Sequence, residues 1–197
     1  MTFATQLAAA FTPIAAVYDG PSVTRALSEA QTFVESYCNR TFDLVTGETV
    51  YVSPQRYRSA QLPQYPVVNV TSVQGLLPPT TGSGGLVWTD LPNFRFDADT
   101  GLIYDTTGEP GVTWTLCLSW PWLPFSLKVT YDHGYTTVPQ ALVDVACRLA
   151  RQFLENPTSQ MARKVGDTED RFAGSKGVVL NQLDEIVLGR YTDVGIG

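Results

Sequence analysis

Residue types that could support catalysis are few in this sequence. His133 is the one histidine, and within Asp132-His133-Gly134, at the end of a predicted strand, it is a conceivable general base. No nucleophile elbow, phosphate-binding loop or zinc motif accompanies it. The favoured interpretation of His133 is therefore a turn residue at a strand end, and a hydrolase is the weakest functional hypothesis.

Metal binding and thiol chemistry are also poorly supported. Cys38, Cys117 and Cys147 are far apart in an odd-numbered set, which predicts reduced, buried thiols. The segment from Asp97 to Gly101 has a superficial likeness to a calcium loop, but the residues after it supply no bidentate carboxylate. A hairpin turn is predicted there instead. We expect no cofactor, no metal and no enzymatic activity.

The tryptophans allow a second kind of function. Alternation in the segment 113–120 places Trp114 and Trp120 on one strand face, which favours a core role. Trp88 and Trp122 could instead join them in a platform that stacks against sugars. A carbohydrate-binding β module therefore stays open as the alternative function.

Composition restricts the partners. The net charge is −6, which argues against a broad basic face that grips nucleic acid. Charged residues make up 16% of the chain, against about 25% in an average domain, and this deficit indicates that part of the surface is covered in an oligomer. The N-terminus lacks the basic start of a secretory signal, and no apolar run reaches bilayer length, so we expect a soluble intracellular product without membrane contact.

Hydrophobic periodicity predicts an α+β fold. A helix over 23–39 follows the turn Asp19-Gly20-Pro21-Ser22, with Ser22 as its capping residue, and a short helix over 2–10 that stops near Pro13 comes before it. Pro139 opens a further helix with the stripe Leu142, Val145, Ala146, Leu149 and Phe153. The predicted strands are 49–53, 67–74, 86–90, 94–97, 102–104, 112–120 and 126–132.

Composition also indicates how these elements are organised. Residues 48–132 contain 9 of the 13 prolines and all four tryptophans. We therefore predict a small helical bundle with an inserted antiparallel β module, followed by a C-terminal linker and helix. The predicted parts are an N-terminal helical part (1–47), the β module (48–132), the second core helix (133–157), and a linker with a C-terminal docking helix (158–197). The charged stretch from Thr158 to Gly177 has little periodicity and is predicted to be a mobile linker.

Two i, i+4 charge pairs lie on the polar face of the second core helix. Asp144 precedes Arg148 by four residues, and Arg151 precedes Glu155 by four. Such a face is usually solvated, but in a protein with few charges it could pair across subunits. We predict that Asp144, Arg148, Arg151 and Glu155 lie at or near a subunit interface.

The order of these features resembles the head-to-tail connector (adaptor, or head completion) proteins of tailed bacteriophages. The first long helix runs into Cys38-Asn39-Arg40-Thr41-Phe42, similar to the helix followed by Cys-x-Arg-x-Phe in that family. The resemblance continues through a strand at 66–73, a hairpin at 99–103, the V-x-Y-x-x-G-Y strand in 128–135, and the terminal segment 183–191. It covers roughly residues 22–191.

The resemblance implies a ring, commonly of twelve subunits, docked beneath the portal protein. The ring would form part of the DNA channel and join the capsid to the next neck (stopper) or tail protein. Genomic DNA would pass through without specific binding, and the β module could contact the capsid. The protein would reside in the virion neck, and in the host cytoplasm during assembly.

The resemblance also gives the C-terminal helix a role in assembly. We expect it to be loosely held in the free subunit and to dock on the portal through Leu180, Leu183, Val187, Leu188 and Tyr191. The alternative is that these residues pack on the protein's own helices, because a helix of about ten residues is marginal alone.

Overall fold

The chain is organised as two units. The computed structural model describes residues 2–55, 58–78, 84–106, 120–121, 123–155, 162–165, 168–171 and 180–192. One unit combines Met1–Asp43 with Thr136–Gly197, and the other is Leu44–Tyr135. Within the described residues, no helix has the length and apolar character needed to cross a membrane.

Helices and strands divide between the two units. The first unit contains the helices α1 (Phe3–Ala15), α2 (Gly20–Cys38), α3 (Gln140–Glu155) and α4 (Gln182–Gly189), with strands β8 (Ala162–Val165) and β9 (Thr168–Arg171). The second unit contains β1 (Val45–Val52), β2 (Ser59–Gln61), β3 (Val67–Leu77), β4 (Val87–Asp90), β5 (Phe94–Phe96), β6 (Leu102–Asp105) and β7 (Leu127–His133). The α+β prediction is confirmed.

Helix α1 continues through its proline. Phe3, Leu7 and Phe11 recur every four residues and are fully buried, and α1 packs on α2 and α3. The helix predicted over 2–10 is present but extends to Ala15, so Pro13, near which it was predicted to stop, lies inside its last turn. Proline is compatible with helical φ and removes one backbone donor near the end of the helix. Burial of three large side chains outweighs that loss.

Helix α2 is capped by Asp19. Its carboxylate accepts a hydrogen bond from the Ser22 backbone N–H at 3.0 Å, and Pro21 occupies the first turn. The predicted helix is confirmed, but it begins three residues early because Asp19, and not Ser22, is the cap. At the other end Asn39 takes a left-handed φ of 54°, which closes the helix after Cys38.

Helix α3 shows the predicted apolar stripe in a wider form. Four of the five predicted residues are buried and Phe153 is half-buried. Val143 and Ala150 are buried as well, because α3 contacts α1, α2 and α4. The central helix of the unit is therefore buried along one wide face, and its opposite face, which carries Asp144, Arg151 and Glu155, stays exposed.

Two short strands lie in the sequence between α3 and α4. Strands β8 and β9 pair antiparallel, with Arg163 opposite Asp170 and Lys164 opposite Glu169 in the register. The predicted linker therefore contains these two strands, and the rest of 158–177 lies outside the described residues. A search for apolar periodicity does not detect strands of this kind.

The β unit contains two antiparallel sheets around one core. Four strands have the order β1-β7-β3-β4, and three have the order β2-β6-β5. Alternate residues of β7, from Leu127 to His133, point into the core. The core also takes Ala60 and Ile103 from the smaller sheet. Most predicted strands are confirmed within three or four residues, while β2 was missed and 112–119 lies outside the described residues.

The predicted hairpin turn between β5 and β6 is confirmed. The Asp97 carboxylate accepts a hydrogen bond from the Asp99 N–H at 3.0 Å, and the Gly101 N–H donates to the Asp97 carbonyl at 3.0 Å. Gly101 has a φ of +70°, which favours glycine, and a Cβ there would lie 3.3 Å from Gln61 and Tyr65. The hydrogen bond from Asp99 holds the pKa of Asp97 below its usual value.

Candidate functional site

The exposed face of α3 carries one of its two predicted charge pairs. Arg151 Nε donates to Glu155 Oε1 at 2.6 Å, and both side chains are exposed. That contact raises the pKa of the Arg151 guanidinium. Asp144 is exposed and accepts a hydrogen bond from Gln140 Nε2 at 2.9 Å. Asp144, Arg151 and Glu155 thus remain at the surface.

Arg148 is committed to the protein's own fold. Its Nε donates to Asp184 Oδ1 at 3.0 Å, and its NH2 group contacts the same oxygen. The Asp184 side chain is 1% exposed, whereas that of Arg148 is 46% exposed. The ion pair links α3 to α4, so the predicted pairing of Arg148 with Asp144 is replaced by a contact 36 residues away.

The C-terminal helix shows one buried and one exposed face. Leu188 is fully buried, whereas Leu180, Val187 and Tyr191 are half-buried. Leu183 is 72% exposed, and Ile186, which was not predicted, is 51% exposed. The five predicted docking residues therefore do not share one face of the helix, because Leu183 points outward and Leu188 inward, and Asp184 takes the inward position one turn before Leu188. The sequence contains one sign of this arrangement: Asp184 precedes Leu188 by four residues, so the two side chains must lie on the same face of the helix.

The start of α4 is fixed by a cap of its own. Asn181 Oδ1 accepts a hydrogen bond from the Asp184 backbone N–H at 2.7 Å. The Asp184 residue therefore joins two interactions, the helix cap through its backbone and the ion pair through its side chain. Both hold the buried face of α4 against α2 and α3.

The Cys-x-Arg-x-Phe segment holds the end of the chain in the helical unit. The Arg40 guanidinium carbon lies 5.5 Å from the Phe42 ring centroid and 5.8 Å from that of Tyr191. Phe42 packs edge-on against Tyr191 with centroids 6.2 Å apart. Cys38 Sγ lies 3.8 Å from the Leu188 carbonyl oxygen. These contacts give the motif a packing role that its spacing did not reveal.

A small cavity lies beside the end of α3. It has a volume of about 130 Å³ and is lined by Tyr18, Asp19, Arg25, Glu29, Phe153 and Leu154, among others. Arg25 Nε lies 3.5 Å from Glu29 Oε1 on the same surface. We call this cavity, together with Asp144, Arg151 and Glu155, the α2–α3 surface. Its mixture of charged and apolar side chains suits a protein contact.

His133 has a partner that the sequence did not show. Its Nε2 lies 2.6 Å from Glu48 Oε2, and the imidazole is 2% exposed. The Tyr131 ring packs on it with centroids 5.1 Å apart. His133 is the last residue of β7, so the prediction of a turn residue without partners is corrected. An imidazole this buried has no room for a substrate, and the pair fastens β1 to β7.

The described cysteines are free and sheltered. Cys38 is buried and Cys147 is half-buried, while Cys117 lies outside the described residues. Burial raises the pKa of the Cys38 thiol to about 11 and also raises that of Cys147. These thiols are poor nucleophiles at neutral pH. Among the described residues, no group of three or more potential ligands is placed to hold a metal ion.

Comparison with known proteins gives a match at the level of structure. No protein-family model matches the sequence, and a search of curated proteins gives no match. A chain in the neck of a native gene transfer agent (GTA) particle, computed with C12 symmetry, superposes with a TM-score of 0.54 at 15% identity, covering 98% of this chain and 92% of that one. A chain in the neck of an empty GTA particle, computed with C6 symmetry, gives a TM-score of 0.53 at 14% identity, covering 91% and 82%. At this identity, the likeness establishes a shared fold.

Proposed function

We propose that this chain is a structural protein of the virion neck, a head-to-tail adaptor that forms a ring beneath the portal, lines the DNA channel and joins the capsid to the tail. The observation that carries the proposal is the fold shared with a GTA neck chain over 98% of this sequence. The order of sequence features that resembles phage connector proteins supports it independently. In this proposal the protein has no enzymatic activity and acts by assembly.

A closed ring accounts for the surface composition. The matched neck was computed with C12 symmetry, which supports a ring of twelve copies. In a closed ring the same contact recurs between every pair of neighbouring subunits. Each contact can therefore be weak, and its geometry fixes how neighbours are aligned. The low charged fraction of the chain fits a protein that covers part of its surface with copies of itself.

The α2–α3 surface is the best candidate for part of the contact between subunits. It presents the exposed charges of Asp144, Arg151 and Glu155 together with a cavity of mixed polar and apolar lining, a combination suited to specific pairing. Arg148 was predicted to join this set, but its contact with the buried Asp184 gives it a role within the subunit. We therefore assign the contact to the other three residues.

The charge of the chain suits a DNA conduit. A basic lining would release counterions from DNA and hold it with an affinity that hinders passage. With a net charge of −6 per copy, the ring would repel the DNA backbone and allow it to slide. Genomic DNA is thus a passing contact, and the binding partners are the portal protein, the next neck or tail protein, and neighbouring copies. Contact of the β unit with the capsid is a further part of the proposal.

The outer face of α4 is proposed to touch the portal. Leu183 and Ile186 are exposed apolar residues on a short helix held at its other face by Arg148 and Leu188. Because α4 is already held against the subunit, binding through Leu183 and Ile186 would not carry the entropic cost of ordering a loose segment. This modifies the expectation of a loosely held tail, since Leu188 is fully buried.

The test is assembly measured by native mass spectrometry and negative-stain imaging, with and without portal rings of the same virus. The wild-type chain should form closed rings, alone or on the portal. Asp144→Lys combined with Glu155→Lys should reduce the ring population by about tenfold or more, as expected for a contact weakened by 1.4 kcal/mol. Asp99→Lys, at an exposed carboxylate of the β5–β6 turn, is the matched control and should assemble normally.

Two results separate the parts of the proposal. Normal rings from the Asp144→Lys, Glu155→Lys variant would remove the α2–α3 surface from the subunit contact and leave the neck role intact. A wild-type chain that stays monomeric both alone and with portal rings would overturn the neck role itself.

A further inference from the structure

A row of four side chains crosses the whole outer face of the larger sheet. In the register, Tyr51 of β1 faces Lys128 of β7, Lys128 faces Gln74 of β3, and Gln74 faces Asp90 of β4. The neighbouring positions Val129 and Val73 point the other way, into the core. The row therefore lies on the face of the sheet that points away from the core of the β unit.

Two aromatic rings stand above this row. The ring centroids of Tyr51 and Trp88 are 5.6 Å apart with planes at 55°, although the residues belong to the two edge strands. Tyr51 is 54% exposed and Trp88 is 39% exposed. Trp120, the other described tryptophan, is 5% exposed and belongs to the core. Large aromatic surfaces left in water usually indicate a binding role.

The polar groups of the row offer both donors and acceptors. Gln74 Nε2 donates to Asp90 Oδ1 at 2.8 Å, which fixes the amide and the carboxylate side by side. The Gln74 carbonyl oxygen and the second Asp90 oxygen are acceptors, and the Lys128 ammonium is a donor. One row further along, the Thr49 and Thr130 hydroxyls are 3.0 Å apart. Lys128 and Asp90 balance in charge, so the site favours a neutral ligand rich in hydroxyls.

We propose that this face binds a neutral oligosaccharide of hexopyranose units. The apolar C–H face of a pyranose ring would stack on Trp88 with Tyr51 against its edge, while its equatorial hydroxyls would bond to Gln74, Asp90 and Lys128. A peptide segment would also use the aromatic pair, but a row of alternating donors and acceptors with no net charge suits a polyol better. The site would give the particle a glycan contact in addition to its neck role, and it does not depend on that role.

The probes for the test are maltohexaose, cellohexaose and chitohexaose, measured with the full chain by isothermal titration calorimetry and saturation-transfer difference NMR. We expect at least one of them to bind with a dissociation constant between about 10 μM and 1 mM, the range of a shallow site with few hydrogen bonds. Saturation transfer should be strongest to the C–H protons of one sugar face.

Matched variants assign the binding to this face. Trp88→Ala should weaken binding by at least about tenfold. Gln74→Ala should also weaken binding, but it should reduce saturation transfer less than Trp88→Ala does. Tyr37→Ala, which removes an aromatic ring of the helical unit with the same 39% exposure as Trp88, is the control and should bind like the wild type. Thermal unfolding of each variant establishes that it is folded.

Several outcomes would overturn the proposal. No binding of any of the three probes at about 10 mM, a level that detects contacts weaker than −4 kcal/mol, excludes a hexopyranose site. Equal binding by the wild type and Trp88→Ala places the sugar elsewhere. If no probe binds and Trp88→Ala instead weakens ring or portal assembly, the face is a protein contact and the glycan proposal is wrong.

Discussion

The ion pair between Arg148 and Asp184 is unequal in exposure, and this inequality predicts unequal effects of mutation. Arg148→Ala leaves the Asp184 carboxylate buried without its cation, which should lower the free energy of unfolding by about 3 kcal/mol. Asp184→Asn leaves a half-exposed guanidinium that water can solvate, so the loss should be about 1 kcal/mol. Urea denaturation followed by circular dichroism measures both values.

Arg151→Ala is the control for that comparison. It removes an arginine from the same helix whose ion pair is exposed on both sides, and exposed pairs contribute little. The midpoint of its urea denaturation should therefore stay close to that of the wild type. Equal losses for Arg148→Ala and Asp184→Asn would show that Asp184 is not held in a dry environment.

Cys38 makes the stability of the helical unit sensitive to alkaline pH. Burial raises the pKa of its thiol from 9.0 to about 11, so the folded state keeps the proton over a range in which the unfolded state loses it. This contribution is complete below pH 9 and is lost as pH rises toward 11. The free energy of unfolding from urea titrations should fall more steeply between pH 9 and 10.5 in the wild type than in Cys38→Ala. Parallel pH profiles for the two proteins would contradict the assignment.

Individual residue pairings were the least predictable feature. The sequence placed His133 at the end of a strand, but its partner Glu48 lies 85 residues away and is brought close only by the pairing of β1 with β7. Arg40 and Tyr191 are likewise joined only by the packing of α2 and α4. Charged pairs at i, i+4 were visible in the sequence, yet Arg148 pairs with the distant carboxylate of Asp184. A buried carboxylate without a cation costs more free energy than an exposed one such as that of Asp144.

At the level of elements, periodicity predicted those with a one-sided core. Helices α2 and α3 and strand β7 each bury one regular face, and each was placed nearly correctly. Strand β2 was missed because its three residues, Ser-Ala-Gln, include no β-branched or aromatic side chain, whereas the equally short β5 has two phenylalanines. Strands β8 and β9 were missed because their sequences show no apolar periodicity.

Helix α4 allows the proposed portal contact to be tested without unfolding the protein. Leu183→Glu changes a 72% exposed residue on the outer face and should leave thermal unfolding unchanged. Because it puts a carboxylate into the proposed apolar contact, binding to immobilised portal rings should fall by about tenfold or more. Surface plasmon resonance measures this loss.

Val17→Glu is the matched change for that experiment. It places the same carboxylate at an 80% exposed valine in the same unit, between α1 and α2, and should bind the portal normally. If Leu183→Glu binds as well as Val17→Glu, the outer face of α4 is not the portal contact. A truncation that removes α4 would not separate these possibilities, because it also removes Asp184 and Leu188 from the core.

At the scale of the whole molecule, the division of the chain into two units can be set beside the composition of the sequence. The predicted module 48–132, rich in proline and tryptophan, lies inside the unit Leu44–Tyr135. The β unit begins just before β1 and ends just after β7. These two strands are neighbours in the sheet, and Val45 of β1 pairs with His133 of β7. The sequence could not show this pairing, which depends on strand order and not on local pattern.

This arrangement predicts that the β unit folds as an independent piece. The pairing of Val45 with His133 brings the two ends of 44–135 together, and the contact of Glu48 with His133 closes them. The buried core of the unit takes side chains from both of its sheets. We therefore expect residues 44–135, expressed alone, to unfold in one cooperative thermal transition.

The complementary piece should fold as well. Paired antiparallel residues have Cα atoms about 5 Å apart, so a linker of about three glycine or serine residues can join Asp43 to Thr136. That chain should keep its helical circular dichroism and a cooperative transition. The control is the shorter fragment 49–131, which lacks Glu48 and His133 and should lose cooperativity or unfold at a clearly lower temperature. If 44–135 and 49–131 melt alike, the closure of β1 on β7 does not hold the unit together, and if neither half melts cooperatively, the two units depend on each other to fold.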